Sequence, residues 1–569
     1  MVAVYLVRCG NNSMGWRVTN RESSRGLRLE PPLIAGLIEY MTGIPYKGRH
    51  RTKEIRMPFS SGQPARFHPV RLGILIAWLI STLPAISAPI RDYPTTLTQP
   101  DGSSVKALLS GDEYFNWAHD KNGYVIMQDR RSGLWVYAAK DGDDIAPTAF
   151  IAGKVDPASV GLTPNALPSP DGMASLRKEK LARRYSDDGP SYAPTQGTLS
   201  NIVIYIRFKD QTEFTTSTST YDAMFNGTTS NSSMRNYFKE VSFTKLTVNT
   251  YFYPTTTGST VVSYQDSQPR AYYEPYNATS NPIGYQDDSQ AATREHTLLA
   301  AAVNAVGSQV PTTLNLDIDS DGRVDNVCFV VKGSPGAWAD LLWPHKWSLY
   351  TQYVTLNGKR VYTYNLQLEN HMLYSSGVGV LCHEMFHSLG APDLYHYSYD
   401  GYVPVGPWDV MENNQEPPQH MSAYMKYRYG RWITSIPEIT TSGSYSLNPL
   451  TYPTNNCWKI KSPNSTTEYF VLEYRLKSGK FENSLPGSGL LVYRVNTRYD
   501  GNGNASGPPD ELYVYRPGGS CTTNGSVSSA YLSSNSGRKA INDYTNPKSF
   551  LSNCEPAGLN IDNIGTAGT

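Results

Sequence analysis

The stretch that decides the fold of this chain reads Leu381-Cys-His-Glu-Met-Phe-His-Ser-Leu-Gly-Ala-Pro-Asp393. At its centre is the pattern His-Glu-x-x-His. Residues four positions apart share one face of an α-helix, so His383 and His387 are expected to point two imidazoles at one metal ion. Zinc accepts such a pair, and a catalytic zinc site keeps three protein ligands and an open position for water. The pattern therefore predicts a helix that carries a catalytic metal site.

The residues after the first histidine predict how this site is completed. Glu384 is expected beside the metal rather than on it, where a carboxylate takes a proton from water as general base. Gly390 favours the left-handed conformation that closes a helix, and Pro392 cannot continue one. Asp393, just past this break, is placed to fold back as the third ligand. The alternative is a pair of surface histidines without a metal, but the apolar neighbours on both sides favour a buried helix.

The extended pattern His-Glu-x-x-His-x-x-Gly-x-x-Asp resembles the metzincin pattern with its last histidine replaced by aspartate. With Pro392-Asp-Leu-Tyr395 following, it resembles the immune inhibitor A family of secreted bacterial zinc metallopeptidases. Trp343-Pro-His-Lys-Trp347 and Gly406-Pro-Trp-Asp-Val-Met411 match that family as well, and the resemblance covers roughly residues 198–500. It implies a zincin-like α+β catalytic domain, a zinc ion and the hydrolysis of peptide bonds.

Other residues near these motifs are open to more than one interpretation. By the resemblance, Met411 lies in a turn beneath the metal, although a buried apolar methionine would look the same in sequence. Asp409 and Glu412 are nearby carboxylates and rival Asp393 as third ligand. No chemical role is predicted for the histidines at 345 and 396; packing by the flanking aromatic residues is the safer interpretation.

An uncharged apolar run at residues 72–88 follows two arginines and ends in small residues. This is the layout of a secretory signal peptide. Because Met57 gives such a signal an ordinary length, we assign the signal to residues 57–88 and expect that residues 1–56 do not belong to the true protein. The alternative is a membrane anchor, but the run is about 15–17 residues and a span needs roughly 20.

The remaining chain divides by pattern into four regions. Residues 89–160 read as strands and turns, which indicates a β-rich pro-like segment or a small β module that stays attached. Residues 161–197 have the Pro, Ser, Gly and charge content of a linker. Residues 198–437 mix strands and helices around the metal helix and form the predicted catalytic domain. Residues 438–569 return to short strands and turns, which predicts a C-terminal β domain.

A second cation site is predicted in the sequence Asp-Ile-Asp-Ser-Asp-Gly-Arg-Val-Asp, which begins at position 317. Its carboxylates and glycine are spaced as in the front of an EF-hand loop, where alternate oxygens converge on calcium. Position 12 of that loop is Cys328 instead of the usual glutamate, so the motif is incomplete, and an acidic turn is the alternative. The candidate calcium ligands are Asp317, Asp319, Asp321 and Asp325. A weaker relative, Asp500-Gly-Asn-Gly-Asn504, is interpreted as a turn.

The cysteines are expected to play structural roles. Cys457, Cys521 and Cys554 lie in the β region of an apparently exported chain, so one disulfide is expected there, with its pairing open. Cys328 and Cys382 lie in apolar segments and are expected to be buried thiols. No cysteine lies between residues 88 and 328, so an N-terminal pro-segment has no thiolate with which to silence a zinc ion.

The composition of the chain argues against nucleic acid as a partner. The 569 residues carry a net charge of +1, and the basic excess is confined to the first 71 residues, so the rest offers no basic stripe for nucleic acid. We expect protein or peptide substrates, an extracytoplasmic location in a bacterium, and no stable membrane span after signal cleavage. The rival function is an exported β-rich binding or adhesion protein with a vestigial or structural metal site. Glu384 argues against it, because a structural zinc site needs no unligated carboxylate.

Overall fold

The computed structural model describes residues 2–6, 90–112, 114–173, 175–176, 192–228, 232–374 and 377–568. All of these residues belong to one compact unit. The predicted signal peptide and nearly all of the extension before it lie outside the described residues. So does part of the predicted linker. From the extension, strand β1 (Val2–Leu6) runs antiparallel to residues 443–447.

The N-terminal sheet consists of six antiparallel strands, each hydrogen-bonded to the next along the chain. They are β2 (Ile90–Thr98), β3 (Ser104–Gly111), β4 (Asn116–His119), β5 (Val125–Gln128), β6 (Trp135–Asp141) and β7 (Asp144–Ile151). Short turns make this meander possible, because antiparallel neighbours need no crossover. Its buried side chains, among them Leu109 and Ile126, share one hydrophobic cluster with Trp343 from the following region.

The central sheet is largely parallel. Its region contains β8 (Gly197–Arg207), β9 (Leu246–Tyr253), β10 (Tyr264–Gln265), β11 (Asn326–Val331), β12 (His345–Ser348), the hairpin β13 (Thr355–Leu356) and β14 (Lys359–Arg360), and β15 (Thr363–Leu368). The order is β10-β8-β11-β15-β12, with β9 also paired to β8, and β12 alone runs antiparallel to its neighbour. Because both faces are covered, β8 and β11 read as continuous apolar runs.

Helices cover the two faces of the central sheet. They are α1 (Thr218–Asn226), α2 (Met234–Val241), α3 (Asp288–Val306), α4 (Glu369–Met372), α5 (Gly377–Ser388) and α6 (Ala423–Arg428). Short side chains cap their first turns: the Ser233 hydroxyl accepts the Asn236 N–H, and the Asp287 carboxylate accepts the Gln290 N–H. Helix α3 packs in one hydrophobic cluster, and α1, α2 and α5 pack in another on the opposite face.

The C-terminal region is built from short strands. They are β16 (Gly443–Leu447), β17 (Cys457–Lys461), β18 (Glu468–Arg475), β19 (Gly489–Asn496), β20 (Leu512–Val514), β21 (Ile541–Asn542) and β22 (Asn560–Ile561), with β17 to β20 forming an antiparallel sheet. One face of this sheet, which includes Val471 and Leu491, lies in the same core cluster as Phe386 of helix α5. The sheet therefore packs directly against the element that carries the predicted site.

Two sequence expectations about the fold are confirmed. The architecture is α+β, with a β-rich region on each side of the strand-and-helix centre. A disulfide joins Cys521 and Cys554 in the C-terminal region, while Cys328, Cys382 and Cys457 are buried free thiols. Among the described residues, no helix combines the length and the apolarity needed to cross a membrane.

Candidate metal centre

Helix α5 carries both histidines of the central pattern on a buried face. The rings of His383 and His387 lie one turn apart, with their centres separated by 4.6 Å. The helix ends at Ser388, and Gly390 then adopts a φ of 103°, a left-handed value that favours glycine. A side chain there would also press on the ring of Tyr192, 3.3 Å from the ideal Cβ position. The break turns the chain back, as the sequence predicts.

The returning chain brings Asp393 to the two histidines. Its Oδ1 atom lies 3.0 Å from Nε2 of His383 and 3.3 Å from Nε2 of His387. One ligand atom from each of the three residues falls within 4.8 Å of the others. Ligand atoms bound tetrahedrally to zinc at about 2.0–2.1 Å lie about 3.3 Å apart, so this spacing suits a zinc ion.

The protonation of the two histidines is fixed by backbone carbonyls. Nδ1 of His383 lies 3.0 Å from the carbonyl oxygen of Val410, and Nδ1 of His387 lies 2.7 Å from that of Ala391. A carbonyl only accepts, so each Nδ1 carries a proton, and either ring in its neutral form presents an Nε2 lone pair. This arrangement orients histidine ligands in metal sites.

Asp393 supplies the third of three electron-pair donor atoms, and such a buried set needs a cation. Tyr397 donates its hydroxyl to Oδ2, whereas Oδ1 is buried and receives no hydrogen bond among the described residues. Two lone pairs and one carboxylate oxygen thus converge on a buried point, where they would repel one another unless a positive charge lies between them. The residues present fit a divalent metal of the zinc type.

The electrostatics of the cluster agree with this fit. Burial opposes a charge on His387 or Asp393, yet their mutual attraction overcomes it. The two imidazoles hold the pKa of the Asp393 carboxyl well below its usual range, and Asp393 raises the pKa of His387 to about 9. The carboxylate therefore demands a neighbouring positive charge, which either a proton or a metal ion supplies.

The rival carboxylates are engaged elsewhere. Glu412 accepts hydrogen bonds at 2.5 Å from the backbone amides of residues 405–406. Asp409 accepts the N–H of Ser422 at 2.7 Å. Both carboxylates are buried and both hold turns of the backbone, so the structure brings Asp393, and neither rival, to the histidines.

Met411 and Glu384, the other two residues predicted near the metal, are both buried. Met411 is fully buried and its carbonyl accepts the N–H of Leu394, next to Asp393, at 3.0 Å. Together with the carbonyl at residue 410, this turn supports both the helix and the returning chain. Glu384 is 5% exposed and follows His383 on α5, and its backbone carbonyl accepts from Asn365 of β15 at 3.0 Å.

Comparison with known proteins is consistent with this geometry. Residues 213–416 match the family model described as immune inhibitor A peptidase M6, catalytic domain. The chain carries a metallopeptidase domain. The matched segment contains helix α5, the returning chain with Asp393, and the turn at Met411. A search of the curated proteins found no match.

The predicted calcium loop also lies inside the metallopeptidase match. Carboxylate atoms of Asp317, Asp319 and Asp325 fall within 4.8 Å of one another, whereas Asp321 is not among them and accepts the N–H of Arg323 instead. Burial and the neighbouring carboxylates raise the pKa of Asp325 to about 7. The Lys359 ammonium lies 2.8 Å from Asp317 and supplies one positive charge to the loop.

Sequence reasoning missed two buried histidines of the metallopeptidase domain that pair with distant carboxylates. Nε2 of His345 lies 3.1 Å from the Glu295 carboxylate of α3, and its Nδ1 donates to the Trp343 carbonyl at 2.7 Å, so this residue connects a helix to strand β12 rather than only packing. His396 is buried between the carboxylates of Asp400 and Asp510. Little in the sequence indicates these pairs, because the carboxylate partners Glu295 and Asp510 lie far from the histidines along the chain. Only the rarity of buried histidines could have drawn attention to them.

Proposed function

We propose that this chain is a secreted zinc-dependent endopeptidase. In it, His383, His387 and Asp393 hold the metal and Glu384 is the general base. The observation that carries the proposal is the convergence of two Nε2 atoms and one carboxylate oxygen on a buried point.

The chemistry follows from the residues around that point. Zinc bound there supplies a Lewis acid that polarises the scissile carbonyl and lowers the pKa of water. Glu384, adjacent to a ligand on the same helix, receives the proton and later passes it to the departing amine. Tyr397 holds Asp393 in orientation through its hydroxyl. The carbonyls of Val410 and Ala391 keep both rings in the tautomer that leaves Nε2 available.

The N-terminal sheet supports a proposal of latency. The ring of Tyr114 lies 4.7 Å from that of Tyr397, whose hydroxyl binds Asp393, and Trp117 lies 5.0 Å from Tyr399. The sheet therefore covers the chain that returns to the metal site. We propose that residues 89–160 act as a pro-segment, and that cleavage in the linker at 161–197 precedes full activity. A β module that stays attached is the alternative.

Export and calcium complete the proposal. A disulfide between Cys521 and Cys554 suits an oxidising, extracytoplasmic compartment, as does the predicted signal at 57–88. Proteins or peptides are the substrates of a peptidase, and no nucleic-acid partner is proposed. Calcium binding is proposed at the loop that contains Asp317, Asp319 and Asp325. This proposal rests on the mutual repulsion of three carboxylates that lie so close together, which a bound cation relieves.

Casein hydrolysis by the purified chain, before and after limited proteolysis of the linker, tests this function. We expect activity that a zinc chelator removes and added zinc restores, with Glu384→Gln inactive in both forms. Hydrolysis that survives exhaustive chelation would contradict the zinc mechanism. Stoichiometric zinc binding without any hydrolysis, before or after processing, would favour an adhesion protein with a structural metal site.

A further inference from the structure

The third ligand of the candidate metal site lies on a loop, and that loop is attached to the C-terminal region. We call residues 390–402 the ligand loop and residues 503–510 the support segment, which connects β19 to β20. Three hydrogen bonds to backbone carbonyls join them: Asn504 N–H to the Asp393 carbonyl at 2.9 Å, Asn504 Nδ2–H to the Leu394 carbonyl at 3.0 Å, and Tyr397 N–H to the Ala505 carbonyl at 3.1 Å. The backbone on both sides of the carboxylate ligand is thus held.

Asn504 connects the C-terminal sheet to the ligand loop through hydrogen bonds. Its side chain is fully buried, donates to the Leu512 carbonyl at 2.7 Å and accepts the Leu512 N–H at 3.0 Å. Leu512 begins strand β20, so one amide side chain connects the sheet to the residue that follows Asp393. A group with all its hydrogen bonds made in a dry environment has one preferred position.

Gly503 allows this close approach. Its φ is 61°, and an ideal Cβ at this position would lie 2.2 Å from the Asp393 carbonyl oxygen. Gly501 offers a natural comparison, since its φ is 91° but a Cβ there meets nothing within 4 Å. The backbone conformation favours glycine at both positions, but of the two only Gly503 lies against Asp393, the proposed third ligand.

A buried ion pair makes the second attachment. Nδ1 of His396 lies 2.9 Å from Asp400 within the ligand loop, and Nε2 lies 2.6 Å from Asp510 of the support segment. Burial lowers the pKa of this imidazole, but the two carboxylates raise it to about 10, so the ring is charged at neutral pH. Breaking a buried pair leaves an uncompensated charge, which opposes separation of the two segments.

We infer that the support segment is a positioning element of the metal site and that the C-terminal β region is required for tight metal binding. The inference rests on the proposed function, because it takes Asp393 as a ligand. Two ligands sit on a rigid helix, whereas the third depends on loop conformation, and a ligand that must first be ordered binds with lower net affinity. Outer residues that orient metal ligands typically contribute about 10- to 100-fold in affinity.

The test compares Gly503→Ala with Gly501→Ala in the full chain. Each variant is stripped of metal and titrated with zinc against a competing chelator, and the visible spectrum of its cobalt form is recorded. We expect Gly503→Ala to weaken zinc binding by about 10- to 100-fold and to alter the cobalt spectrum. Gly501→Ala adds a comparable strain in the same connection and is expected to keep the zinc affinity and spectrum of the unaltered chain.

A second pair covers the case in which Gly503→Ala fails to fold. Asp510→Asn removes the charge that faces His396, while Glu468→Gln removes a buried carboxylate of β18 that pairs with Arg494 of β19 at 3.4 Å. Thermal unfolding of the metal-free proteins measures the stability cost of each change. We expect weaker zinc binding from Asp510→Asn and unchanged binding from Glu468→Gln, even where both melt lower.

The outcomes separate the inference from the proposed function. If the folded variants among Gly503→Ala and Asp510→Asn bind zinc as the unaltered chain does, while Asp393→Ala loses it, the support segment has no positioning role and the inference is overturned. If Asp393→Ala itself keeps native zinc affinity, the ligand set of the proposed function is wrong. Equal loss of affinity in the test variants and their controls would also overturn the inference, since it would report general destabilisation.

Discussion

Nε2 of His383 lies 3.0 Å from Oδ1 of Asp393, with both side chains almost completely buried. No proton bridges these atoms in the neutral tautomer, because the Nδ1 proton of His383 is donated to a backbone carbonyl. A buried donor set of this kind persists only if a cation stabilises it.

Replacing Glu384 with glutamine is expected to abolish hydrolysis while leaving stoichiometric zinc. The amide keeps the shape of the side chain but accepts no proton, and general-base catalysis contributes about 10²- to 10⁴-fold. Casein turnover and metal content of the same preparation check this, with Glu468→Gln as a control for the loss of a buried carboxylate elsewhere. Undiminished turnover would refute the role of Glu384. Loss of zinc together with activity would instead make it a metal or structural group.

Asp393→Ala is expected to reduce zinc affinity severely, whereas Glu412→Ala should leave metal content largely intact. Glu412 satisfies two backbone amides, so its loss is expected to cost about 1–3 kcal/mol of stability without touching the metal. Zinc content after dialysis and the melting temperature distinguish the two effects. The reverse pattern, with zinc lost from Glu412→Ala alone, would transfer the ligand assignment.

Tyr397→Phe removes only the hydroxyl that donates to Asp393. Because that bond orients the carboxylate, we expect zinc affinity to fall by about tenfold or more while the loop stays folded. Tyr399→Phe in the same loop is the matched control and should bind zinc as the unaltered chain does. Equal affinities for the two variants would show that the Asp393 carboxylate needs no help from Tyr397.

The success of sequence reasoning at this site depended on distance along the chain. Spacing within one helix and one break predicted the convergence of His383, His387 and Asp393. Asn504 and Asp510 escaped prediction because they reach the ligand loop across 110 and 114 residues, where no local pattern records the contact. The Asp500–Asn504 stretch reads correctly as a turn, but its glycines also permit a close approach that only the fold reveals.

Calcium is expected to raise the melting temperature of the zinc-saturated chain. A ligand that binds only the folded state stabilises it by about 2.7 kcal/mol at a hundredfold excess over Kd. Asp319→Asn should remove most of this effect, while Lys359→Gln should strengthen calcium binding because it frees Asp317 from its ammonium partner. Melting curves recorded with and without calcium would contradict the assignment if neither the unaltered chain nor Lys359→Gln responded.

Acid is expected to destabilise the contact between the N-terminal sheet and the centre of the chain through His371. This side chain is buried, its ring lies 5.7 Å from that of Tyr93 on β2, and its Nδ1 atom has no hydrogen-bond partner among the described residues. Burial lowers the pKa of His371 to about 4, below the value of about 6.5 in an unfolded chain. The unfolded state therefore binds more protons, and the stability present above pH 6.5 is lost as the pH falls through 4.

The size and sign of this effect make it measurable. The difference in pKa corresponds to about 3 kcal/mol once the pH is below 4. His371→Phe keeps an aromatic ring against Tyr93 and cannot titrate, so urea unfolding of the metal-free variant should lose less stability between pH 6.5 and 4. His396→Gln is the control, because the raised pKa of His396 gives a contribution that is complete below pH 6.5 and lost only as the pH rises towards 10. An acid dependence that is the same in His371→Phe and in the unaltered chain would place the acid-sensitive group elsewhere.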